Sequence, residues 1–90
     1  MKEVIKQMVD TYGEKQIIVA IEELSELTKE LCKSLRGQTN TQNIIEEIAD
    51  CYIVLQEMKE LFKISNYQLR EEIDKKLERT KSRYLCQVNT

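Results

Sequence analysis

The 90 residues carry 14 lysines and arginines against 16 aspartates and glutamates, a net charge of −2, with no histidine and no proline. So even a balance excludes the one-sided positive field that nucleic-acid backbone binding requires, and the lack of histidine leaves a zinc site few ligands. A chain of this length builds one domain, taken here as residues 1–90. It buries only about 60–65% of its unfolded surface, a thin core that favours assembly into a homo-oligomer.

Cys32, Cys51 and Cys86 are odd in number, widely spaced and free of any CxxC pair, which reads as thiols in a reducing compartment. The first residues contain no apolar run of signal-peptide length, and the longest apolar stretch, Cys51 to Leu55, is far too short for a bilayer. The expectation is a soluble, cytoplasmic protein with neither a membrane nor a nucleic-acid partner.

Glycine occurs only at positions 13 and 37, and apolar residues recur at helical spacing, so the chain reads as all-α with no strands. A first helix over residues 2 to 11 carries Val4, Ile5, Met8 and Val9 on one side, covers the core and stops at Gly13. A second, over 14 to 35, places Ile17, Ile21, Leu24, Leu27 or Thr28, Leu31 and Leu35 along one stripe and stops before Gly37. Residues 37–42 form a polar loop in which Asn40 or Thr41 caps a third helix running to Phe62. Ser65 and Gln68 have the form of a capping box. The fourth helix they open bears the narrow stripe Leu69, Ile73, Leu77, Thr80 and Tyr84, which suits a partner subunit. The tail Gln87–Thr90 is expected to fray.

Helices two and three each carry carboxylates three and four residues apart: Glu22, Glu23, Glu26 and Glu30, then Glu46, Glu47 and Asp50. With Leu24 at zero on a helical wheel, Glu23 lies about 100° away, at the border of the core; Glu47 stands likewise to Ile48. Two antiparallel helices so patterned can converge four carboxylates. An isolated ExxE or ExxD is ordinary solvated surface. Asp50 is different, because it lies in Ile48–Leu55, a segment expected to be largely buried, with no Lys or Arg on its helix before Lys59. A cation is the economical partner. All-oxygen ligation favours magnesium, with manganese as an adequate substitute. Cys51 falls inside the apolar stripe and reads as core rather than as a nucleophile.

Glu22-Glu23-Leu24-Ser25-Glu26, twenty intervening residues, then Glu47-Ile48-Ala49-Asp50 resembles the EExxE…ExxD signature of the MazG-like, all-α nucleoside triphosphate pyrophosphohydrolases. Residues 16–27, 46–55 and 76–84 also resemble that family's text in order, so the likeness spans about residues 14–85. The resemblance implies a four-helix MazG-like bundle, assembled as a homodimer or homotetramer. It implies that Glu23, Glu26, Glu47 and Asp50 hold Mg2+, and that a nucleoside triphosphate is split to the monophosphate and pyrophosphate. Glu22 or Glu26 would orient the attacking water. For the triphosphate, Lys76, Arg79 and Arg83 are the candidate cations, although Glu72 and its neighbours on the same helix offer them ordinary ion pairs. Tyr12, Gln16, Tyr52 and Phe62 are candidates for the base pocket, with Gln16 the choice for substrate binding; for Tyr52 a core role is the stronger expectation. Two other readings stand beside this one: phosphoribosyl-ATP pyrophosphatase, similar in length and acidic signature, and a non-catalytic helical interaction module indifferent to magnesium.

Overall fold

The computed structural model describes residues 1–85, all helical apart from short connections: α1 (Lys2–Tyr12), α2 (Lys15–Leu35), α3 (Thr41–Leu61), α4 (Asn66–Thr80) and a π-helical continuation, Lys81–Leu85. Cys86 and the tail Gln87–Thr90 lie outside the described residues. Cys32 and Cys51 are free thiols, and no described helix is long and apolar enough to cross a membrane.

Local chemistry explains the boundaries. Gly13 closes α1 at φ 54°, and Gly37 follows α2 at φ 79° while the Gln38 N–H donates to the Lys33 carbonyl at 2.9 Å, the six-to-one bond of a Schellman end. Asn40 caps α3, its side chain accepting from the Asn43 N–H at 3.1 Å. Ser65 and Gln68 form the full capping box of α4: Ser65 Oγ accepts from the Gln68 N–H at 3.0 Å, and Gln68 Oε1 from the Ser65 N–H at 2.8 Å. At the end of α3 the same bond runs from the Ile64 N–H to the Lys59 carbonyl, but the left-handed residue is Lys63 at φ 56°, where glycine is the residue without a steric penalty. Lys63→Gly is therefore expected to stabilise the fold by about 0.5–1 kcal/mol in chemical denaturation, and an unchanged or lower midpoint would contradict this account of the turn.

α2 and α3 form an antiparallel hairpin, and α1 lies across both, burying Ile5 and Val9 while Val4 stays exposed. α4 makes no close backbone approach to α1, α2 or α3. The expected four helices are present, but the packed unit within one chain has three. Dimensions of 53 × 37 × 19 Å and a radius of gyration of 16.5 Å follow, against about 12 Å for a compact chain of this length. The accessible surface is 7498 Å2, where about 5,500 Å2 is usual for a monomer of this mass.

The buried faces also differ from those expected. α2 buries Gln16, Ala20 and Glu30, and α3 buries Cys51, Val54 and Glu57, whereas the stripe residues Ile21, Leu24, Leu31 and Leu35 are exposed. On α2 the buried direction is turned by about 80° from Leu24. The segment around Asp50 is accordingly not closed over within one chain: Ile48, Ile53 and Leu55 are exposed, and Tyr52, expected in the core, is 68% exposed. The physical reason is the stand-off of α4. Leu69, Ile73, Leu77 and Tyr84 are all exposed, and among the described residues none closes over that side of α3.

Candidate functional site

The turned faces put acidic residues into the α2–α3 seam. Opposed positions run Gln16 with Glu57, Glu23 with Asp50, Glu26 with Glu47 and Glu30 with Asn43, the register marked by the Cys51 thiol donating to the Glu23 carbonyl at 3.5 Å. Gln16, Glu23 and Glu30 recur every seven residues on α2, as do Asn43, Asp50 and Glu57 on α3, and a seven-residue step returns to nearly the same face.

At the centre of this seam Glu23, Glu47 and Asp50 each offer one carboxylate oxygen, all within 4.8 Å of one another. Glu23 and Glu47 are half-buried, and Glu47 Oε2 is a buried atom with no hydrogen-bond partner. Burial holds the Glu23 carboxyl above its ordinary range; the charge of Asp50, a hydrogen bond with it, and the charges of Glu47 and Glu26 add to the rise. Glu47 is raised first by burial, then by Asp50, Glu26, Glu30 and Glu46. The charges that raise these two groups all belong to carboxylates. Three converging carboxylates, one of them with an orphaned oxygen and two of them raised by burial and neighbouring charge, fit a hard divalent cation such as magnesium.

Glu26 and Glu22 are exposed beside the cluster; Glu26 acts on it through its charge but is not one of the three converging groups. Lys76, Arg79 and Arg83 are exposed on α4 and its continuation, which the chain does not bring against the cluster, and Lys76 pairs with Glu72 at 3.9 Å. Gln16 is buried, whereas Tyr12 and Phe62 are exposed. The Cys51 thiol is pushed up by burial and by Glu23, Glu47 and Asp50, which leaves it inert, as core residues are. Spacing of three and four singles out Glu30 but not Glu57; the repeat of seven on the two helices carries both.

Comparison with known proteins identifies no family: no family model, curated protein or solved structure matches the chain.

A cation held by the cluster would stabilise the fold by mass action. With a dissociation constant on the order of 1 mM, about 10 mM magnesium contributes about 1.4 kcal/mol, a rise of at least about 5 °C in melting midpoint for a domain of this size. The rise is expected in wild type and absent in Asp50→Asn; an equal rise in both would show that magnesium acts elsewhere.

Proposed function

We propose that the chain is a magnesium-dependent pyrophosphohydrolase that splits a nucleoside or deoxynucleoside triphosphate into the monophosphate and pyrophosphate. The observation that carries this reading is the convergence of Glu23, Glu47 and Asp50 across two antiparallel helices, with carboxylates supplying the charges that raise Glu23 and Glu47. The EExxE and ExxD motifs, which resemble the MazG-like signature, lie on those two helices.

Glu23, Glu47 and Asp50 would hold the ion, with Glu26 as a further ligand at the exposed margin. When bound, magnesium or manganese supplies charge neutralisation at phosphate oxygens and lowers the pKa of a bound water. Glu22 or Glu26, exposed on the adjoining turn, would orient the attacking water by accepting a hydrogen bond at a carboxylate oxygen. Water then attacks one phosphorus of the α–β anhydride, and the bridging oxygen leaves with the other fragment. One monophosphate and one pyrophosphate per triphosphate consumed is the expected stoichiometry; diphosphate and orthophosphate would contradict it.

The second part of the proposal is that the protein works as a homo-oligomer. The surface in excess of a compact monomer is about 2,000 Å2 per chain, which two copies would bury as roughly 4,000 Å2, the range of obligate homodimers. The exposed apolar groove formed by Tyr52, Leu55, Met58, Ile64, Leu69 and Ile73 is the surface to be covered. A second copy seated there would also carry α4, and with it Lys76, Arg79 and Arg83, past its own three-helix unit. Those cations would then meet the triphosphate at a neighbour's carboxylates.

A further inference from the structure

Two helical turns from the acidic cluster, about 10.5 Å along the same seam, a second polar pair is buried without partners. Gln16 is 3% exposed and Glu57 4% exposed. Gln16 Oε1 and Glu57 Oε2 are both enclosed and accept no hydrogen bond. Buried polar atoms are almost always paired, and two orphans on facing helices mark a place built to receive donors. They line a cleft of about 280 Å3, open on one side, whose other walls are Met8 and Tyr12 of α1 and Lys15 and Val19 of α2. The cleft therefore combines an apolar slot, an aromatic ring left half exposed and two residues whose enclosed acceptors lack partners.

We propose that this cleft seats a nucleobase bearing an exocyclic amino group, which donates to Gln16 Oε1 and Glu57 Oε2 while its ring stacks on Tyr12. The choice of a nucleobase rests on the nucleotide reading above; the demand for an amino group rests on the two acceptors. Met8 and Val19 supply flat apolar contact, and Tyr12 supplies the stacking face. The two-turn separation along the seam matches the reach from a base to the outer phosphates of an extended triphosphate, so one molecule spans both sites. Uracil and thymine carry no exocyclic amino group, so a carbonyl oxygen of theirs set against these two acceptors leaves both acceptors unpaired.

The test is titration of the full chain with free nucleosides in the absence of magnesium, followed by NMR at the Gln16 side-chain amide and the Tyr12 ring. Cytidine, adenosine or guanosine is expected to shift both, at an affinity at least about tenfold above that of uridine and thymidine. Glu57→Gln keeps the shape and removes the charge, so it should fold, and it is expected to erase most of that preference. Equal binding of uridine, no binding of any nucleoside, or an unchanged preference in Glu57→Gln would overturn the proposal. With neither phosphate nor metal in the tube, the outcome is separable from the reaction. A protein that binds amino nucleosides but releases no pyrophosphate keeps this pocket and loses the proposed activity. One that hydrolyses every triphosphate alike and ignores nucleosides does the reverse.

Discussion

Asp50→Asn is expected to lower magnesium-dependent pyrophosphate release by at least about a hundredfold while leaving the helical fold intact. The substitution retains size and shape, so any loss comes from charge. Glu23, Glu47 and Asp50 bring their oxygens within 4.8 Å, and removing one negative charge takes away a ligand and part of the field that draws the cation in. Several kcal/mol of charge stabilisation depend on an ion of this kind, and each 1.36 kcal/mol is a factor of ten in rate. The same change relieves repulsion, because Asp50 contributes to the raised pKa of both Glu23 and Glu47. In the absence of magnesium the variant should therefore melt no lower than wild type, and circular dichroism should superpose. Activity within threefold of wild type would remove Asp50 from the metal set. A lower metal-free melting point would show that Asp50 stabilises the cluster without a cation.

Ile73→Asp is expected to have the second largest effect, on assembly. In one chain Ile73 is 43% exposed and α4 has no buried residue, so within a monomer a polar substitution there should cost almost nothing. Buried in a dimer, an unpaired carboxylate is strongly unfavourable. Association is then expected to weaken by at least about a hundredfold, the loss seen when a central interface side chain is disrupted. Light scattering reads the result directly: wild type at twice or a higher multiple of 10.7 kDa, the variant at 10.7 kDa. A wild type that scatters as a monomer at micromolar concentration would contradict the oligomer, and an unchanged mass in the variant would move the interface away from α4.

The parts of this fold that could be read from sequence are those fixed by near neighbours. The glycine stops, the Asn40 cap and the Ser65–Gln68 box depend on residues within three or four positions, and each forms as its spacing requires. Lys63 carries no such signal, since a left-handed lysine is chosen by the turn it must complete rather than by its own preference. Which face of α2 and α3 is buried was read differently. Hydrophobic periodicity marks the apolar stripe, whereas in one chain the polar line through Gln16, Glu23 and Glu30 lies inside while Leu24 and Leu31 lie outside. The same mismatch placed Tyr52 and its neighbours in the core. Glu23, Glu47 and Asp50 are nevertheless legible as a converging group, because they stand at or beyond the border of the apolar stripe on the side toward which the buried faces are turned. Glu26 lies one turn further along and stays at the margin. Glu57 escaped notice because a single glutamate in a charged sequence is unremarkable until the repeat of seven is followed from Asp50.

The most direct test of the central claim is pyrophosphate release by the wild-type protein from a panel of nucleoside and deoxynucleoside triphosphates together with phosphoribosyl-ATP, with magnesium and with chelator. Release from one or more free triphosphates that needs magnesium and stops with chelator is the predicted result. A well-folded protein that releases pyrophosphate from none of them would contradict the enzyme reading and favour a helical interaction module. Release from phosphoribosyl-ATP alone would keep the metal chemistry and change the substrate.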